Sequence, residues 1–150
     1  MTDALWQAVL LANLGSSLAM TGLIWFVQIV HYPLFASVGA REFAGYEKKH
    51  ARLTSLVVGP PMLIEAASAV GLVFLARGRH DSWAVWVGLA LVALIWLSTA
   101  AIQVPCHSRL EAGFNSLIHR KLVRSNWIRT LAWTLRSCLA VFLISRGGAQ

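Results

Sequence analysis

The chain has 150 residues, of which 57% are hydrophobic and only 13% charged, with a mean hydropathy of +0.64. A soluble domain carries about a quarter of its residues as charges, so this composition excludes an ordinary water-solvated globule. The net charge of +7 would suit nucleic acid, but its distribution excludes that partner. Arg41, Lys48, Lys49 and Arg52 fall in one inter-span loop and Arg109, Arg120, Lys121 and Arg124 in another, against Arg77, Arg79 and Arg146 on the opposite side. That asymmetry is the positive-inside pattern of a membrane protein.

In chain order, uncharged stretches predict four spans at approximately 5–30, 53–76, 83–104 and 127–145. They use up the chain as one four-span membrane domain over 1–150. The first span is too long for a signal-peptide core and lacks a basic n-region, so it is expected to be retained. Pro33 and Gly39 interrupt it. Residues 40–58 predict an amphipathic helix outside the bilayer, with Phe43, Tyr46, His50 and Leu53 on one face. This stretch runs into the second span, where Gly59-Pro60-Pro61 predicts a kink or unwinding. A short turn is expected at 77–81. The third span stops near Pro105, and residues 108–124 read as a polar helical extension. Ser125 or Asn126 is expected to cap the fourth helix, and Gly147-Gly148 to end it. Cys106 and Cys138 are not expected to pair. The fold class is therefore all-α: an integral membrane four-helix bundle with a kinked second span and helical extensions in loops one and three. Both long loops are placed in the cytoplasm and both termini outside, in a bacterial inner membrane.

Two lone charges, Glu65 and Arg136, sit mid-way along otherwise apolar segments. An unpaired charge in a bilayer core costs several kcal/mol, about 2.5–3.5 on insertion scales, so these two are expected to pair. Polar residues form stripes at helical spacing in every span, and they become more ionisable toward the cytoplasmic end. His31, Asn126, Arg129 and His107 are candidate catalytic residues there, with Gln28, Gln103 and Trp133 as candidate substrate contacts. His31, Glu47, His50, His107 and Glu111 are candidate metal ligands. Glu47-x-x-His50 projects a carboxylate and an imidazole from one helix face, as in di-iron bundles. A di-iron site needs a second such motif and two further Glu, which this chain lacks. A single metal, a haem with histidine ligands or no cofactor remain open. Polar stripes also serve simply as interhelical glue.

Four strings carry a resemblance: W-F-V-Q-I-V-H-Y-P-L-F (25–35), F-x-x-Y-E-x-x-H (43–50), Q-V-P-C-H-S-R-L (103–110) and N-W-I-R-T-x-A-W (126–133). Together they resemble a family of small four-helix membrane proteins that includes fungal anthrone oxygenases. The resemblance covers nearly the whole chain in span layout. It implies a four-helix bundle and, for some relatives, oxygenation of a polyketide anthrone without an evident cofactor. His107 stands where Asn is expected in that pattern. The layout is also similar to four-helix membrane protoporphyrinogen oxidases, whose basic motif after the first helix is not matched.

The leading expectation is a small membrane oxidoreductase of oxygenase type. His31 or His107 would act as base, and Arg129 and Asn126 would stabilise an oxyanion on an aromatic or polyketide-type substrate. The alternatives are a non-catalytic subunit or ligand-binding module with a structural Glu65–Arg136 pair, and a haem or metal carrier. The expected partners are the lipid bilayer and a hydrophobic small molecule, with homo-oligomerisation left open.

Overall fold

A computed structural model of the chain describes residues 2–76 and 80–147. The described residues form helices and turns without a strand: α1 (Thr2–Phe26), a π turn (Val27–His31), α2 (Tyr32–Leu34), a 3-10 turn (Phe35–Ser37), α3 (Phe43–Leu75), α4 (Ser82–Ser98), a second π turn (Thr99–Gln103), α5 (Val104–Leu110) and α6 (Ser116–Gly147). These join into four continuous rods, Asp3–Ser37, Phe43–Leu75, Ser82–Leu110 and Ser116–Arg146, each long and apolar enough to cross a bilayer. Neighbouring rods pack in sequence order, α1 on α3, α3 on α4, α4 on α6 and α6 back on α1. The result is a closed four-helix ring.

Its radial polarity identifies the solvent. Leu11, Leu56, Leu63, Phe74, Leu97 and Leu135 lie on the outside, each more than half exposed. Asn13, Gln28, Glu65, Gln103, Asn126, Thr130 and Arg136 lie inside, buried. Water would drive the first group inward. Hydrocarbon removes that drive and penalises unsatisfied polar groups instead. The protein is an integral membrane protein whose outer surface contacts lipid.

Proline shapes two rods alike. A proline has no N–H for the carbonyl four residues back, and its ring crowds that carbonyl. Before both Pro33 and Pro105 the helix widens into a π turn. Tyr32 N–H bonds Val27 O, and Val104 N–H bonds Thr99 O, each five residues back. The widening delivers Gln28 and Gln103 to the buried interior. Such π turns recur at functional sites.

Four expectations about the elements change. The first rod runs through Pro33 to Ser37 rather than breaking at the proline. Pro60 and Pro61 remain inside an unbroken α3, so the second span does not unwind there. The third rod passes Pro105, which sits in the first turn of α5, where a missing N–H is tolerated. The fourth helix starts at Ser116 rather than near Trp127. Its cap is Asn115, whose Oδ1 accepts from Leu117 N at 3.0 Å and Ile118 N at 3.1 Å, so Ser125 and Asn126 lie in mid-helix. Gly113, at φ +136°, makes the turn between α5 and α6 in a region open to glycine. The turn expected at 77–81 falls outside the described residues at 77–79, as does Gly148. The loop-one extension is the first part of α3, continuous with the second span. Cys106 and Cys138 are both free.

Candidate functional site

The interior holds two polar centres at different depths. The deeper one is built on Glu65 and Arg136. Arg136 Nε donates to Glu65 Oε1 at 2.7 Å, Ser17 Oγ donates to the same oxygen at 2.8 Å, and Trp133 Nε1 donates to Oε2 at 2.8 Å. The guanidinium also donates to Gly88 O, and to Asn13 Oδ1 at 3.3 Å. Asn13 Nδ2 in turn reaches Ser68 Oγ at 2.9 Å. This network draws on all four rods. Both charges are buried and both have several partners, which a buried ion pair requires to offset its desolvation.

The second centre lies where the two π turns meet the N-terminal part of α3. The segment 32–42 turns the chain so that the start of α3 packs against α5. Phe35, fully buried, is the wedge, with its ring against His31, Tyr32, Phe43, Tyr46, His50 and His107. His119 Nε2 bonds Tyr32 O at 2.7 Å and ties α6 to the same segment. Glu47 is thereby buried completely. Its Oε1 lies 2.5 Å from His107 Nδ1, and His107 Nε2 lies 2.9 Å from the Tyr32 hydroxyl. Carboxylate, imidazole and phenol form one chain. A neutral imidazole protonated at Nδ1 donates to Glu47, and its bare Nε2 then accepts from Tyr32. Glu47 Oε2 is buried and has no hydrogen-bond partner among the described residues.

This chain borders a cavity of about 340 Å³, within the range of small-molecule sites, roughly 300–1,000 Å³. Its polar wall includes Tyr32, His50, His107, Gln103, Glu111 and Arg129, with the hydroxyls of Thr54, Ser55, Thr99 and Ser108, and its apolar wall includes Leu23, Ile24, Val27, Val58 and Val104. Arg129 is buried, and among the described residues no carboxylate lies within salt-bridge distance of it. One of its terminal nitrogens donates weakly to Asn126 Oδ1 at 3.4 Å, and its Nε has no partner. Its remaining contacts are the Trp133 ring, 5.0 Å from the guanidinium carbon, and the neighbouring Tyr32 phenol. A buried cation without a counter-ion is costly unless a ligand supplies the charge.

The candidate residues divide as follows. His107, Arg129 and Gln103 border the cavity, and His50 and Glu111 join them. His31 does not. It turns its Nε2 to His50 Nδ1 at 2.9 Å, and His50 Nδ1 also lies 3.1 Å from Thr54 Oγ1. Asn126 and Gln28 are engaged with each other: Asn126 Nδ2 donates to Gln28 Oε1 at 3.0 Å, and Gln28 Nε2 to Val123 O at 3.2 Å. They brace the first π turn against α6, and neither borders the cavity. Trp133 is spent on Glu65 and likewise does not border the cavity. The five candidate metal ligands do not converge either. Among the described residues, no three of His, Cys, Asp and Glu are grouped to hold a metal ion, because His31 and His50 face one another and Glu47 faces His107. Tyr32 was missed from the sequence. Its only signal there is its place beside Pro33 and His31.

No family model, curated protein or solved structure matches the chain.

Proposed function

We propose that this protein is a small membrane oxidoreductase of oxygenase type, acting on a hydrophobic aromatic or polyketide-like substrate in the cavity beside Tyr32, His107 and Arg129. The observation that carries this reading is the Glu47–His107–Tyr32 chain ending at a cavity with an unneutralised arginine. The Tyr32 oxygen takes a proton from the acidic C–H of the substrate as its own proton passes to His107 Nε2. Glu47 holds the resulting imidazolium. The enolate oxygen lies against Arg129, which supplies the positive charge that forms no ion pair among the described residues. The enolate gives an electron to dioxygen, the two radicals combine, and the peroxide anion takes the proton back from the His107 imidazolium through Tyr32 to give a hydroperoxide. Loss of water then leaves a carbonyl, so that a methylene and O₂ become a ketone and H₂O. Base and oxyanion stabiliser are the minimum set for this chemistry. The roles expected for His31 and Asn126 pass to Tyr32 and Arg129.

The basic residues of loops one and three favour a cytoplasmic position for the catalytic end, with both termini on the other side of a bacterial inner membrane. Dioxygen uptake by the protein in phospholipid nanodiscs with anthrone tests the function. Uptake above protein-free nanodiscs that disappears in His107→Gln supports it, and equal uptake by both proteins rejects it.

A second reading is a non-catalytic subunit or binding module, favoured by the completeness of the Glu65–Arg136 network, which accounts for the deeper polar centre by structure alone. A haem or metal carrier is separated from both by the visible absorbance and metal content of the purified protein.

A further inference from the structure

We propose that the cavity ligand is a bilayer-dissolved lipophile with one acidic oxygen, and that it reaches the site sideways from the lipid through the gap between α3 and α5. This inference rests on the cavity assigned above as the reaction site and names its substrate class and route.

The gap is read from exposure. Ser55 of α3 and Val104 and Ser108 of α5 border the cavity, and all three are exposed on the outer surface. The space is therefore continuous with the exterior between two rods. Toward the middle of the rods the outward side chains are apolar, with Leu56 68% exposed, Val57 61% and Leu97 67%, and toward the loops Arg52 and Arg109 are exposed. In a membrane protein such a belt faces acyl chains, so the mouth opens onto lipid. Inside, the wall from α1 and the π turn after it is Leu23, Ile24 and Val27, which suits an apolar body. The polar groups of the wall include Tyr32, His107 and Arg129. Among the described residues Arg129 has no carboxylate partner, and its Nε is unbonded. One oxygen that is acidic, or becomes so at the site, completes it. A neutral hydrocarbon would leave this cation unmatched, and a strongly polar solute would not partition past the apolar rim.

The test measures binding, not turnover, by energy transfer from tryptophan in protein reconstituted in phosphatidylcholine nanodiscs. The probes are 1-hydroxypyrene and its unsubstituted frame, pyrene. Wild type is expected to bind hydroxypyrene at least about tenfold more tightly than pyrene, a ratio of the size that one good polar contact provides. Arg129→Gln should bring the two probes to equal affinity, while Arg129→Lys retains a preference for the hydroxyl. Val104→Phe/Ser108→Phe, which fills the mouth, should slow uptake of both probes about tenfold. Glu111→Phe, at the loop side of the cavity, should not. Slowing by Glu111→Phe with no effect at the mouth would overturn the lipid route. An unchanged hydroxypyrene preference in Arg129→Gln would overturn the acidic-oxygen assignment. Each variant is compared after size-exclusion chromatography shows it monodisperse, and Arg129→Lys keeps the charge test decisive if the glutamine variant does not fold.

Discussion

Neutralising Glu65 should destabilise the bundle far more than an ordinary surface change. The carboxylate accepts from Ser17 and Arg136 on Oε1 and from Trp133 on Oε2. A glutamine amide cannot satisfy all three donors. With its oxygen toward Arg136, its NH₂ faces the Trp133 N–H; turned the other way, the NH₂ faces Arg136 and Ser17. Either orientation leaves a buried donor unpaired, at about 1–3 kcal/mol, and strips Arg136 of its counter-charge. The total for breaking a buried pair from one side is about 3–5 kcal/mol, and Arg136→Gln should cost a similar amount. Removing both charges leaves neither uncompensated, so Glu65→Gln/Arg136→Gln should be less damaging than the sum of the singles by about 2 kcal/mol, within the range for directly contacting residues. Reversible unfolding in mixed dodecyl maltoside and dodecyl sulfate micelles, followed by tryptophan fluorescence, gives the four values of the cycle. Additivity within about 0.5 kcal/mol would refute the reasoning that these charges stabilise one another.

Further outcomes follow from the same contacts. Asn115→Ala removes the cap of α6 and should cost about 1 kcal/mol, read as a lowered unfolding midpoint with the bundle retained. Gly113→Ala forces a side chain into a positive-φ turn and should cost about 1–3 kcal/mol, whereas Gly45→Ala, in a helix with open space around it, should be neutral or stabilising. Tyr32→Phe and Glu47→Gln should each lower turnover about 10²–10⁴-fold while leaving hydroxypyrene affinity within a few-fold of wild type. A reporter active only in the cytoplasm, fused after Gln150, should give no signal, and a strong signal would invert the proposed orientation.

The four rods and their polar interior were legible in the sequence because the bilayer imposes strict rules on length and charge. The same rules made Glu65 and Arg136 conspicuous: two opposite charges at matched depth have few alternatives to each other, and they lie 2.7 Å apart. The start of α6 was hidden because Arg120, Lys121 and Arg124 depress the hydropathy of a helix that continues out of the membrane. Its signal was local, in Gly113 and the Asn115 cap. The site was legible by residue type but not by partnership. His107 and Arg129 were found because they stand at the edges of uncharged stretches. That Glu47 would meet His107, rather than join His50 in a ligand pair, depends on how the 32–42 segment folds α3 onto α5. Spacing along one helix carries no information about that packing. The π turn before Pro33 departs from regular helical spacing, so a stripe drawn at that spacing put His31 on the cavity when it lies beside it; Asn126 and Trp133, on the regular α6, are instead taken up by Gln28 and Glu65.

The central claim is that Tyr32, His107 and Glu47 move a proton from a lipophile held against Arg129. Deuterium exchange into the acidic methylene of anthrone, followed under nitrogen in D₂O with the protein in nanodiscs, isolates that step from every later one. The account predicts exchange well above protein-free nanodiscs for wild type and at least about 10²-fold slower exchange for His107→Gln. Exchange by wild type no faster than by His107→Gln would contradict it.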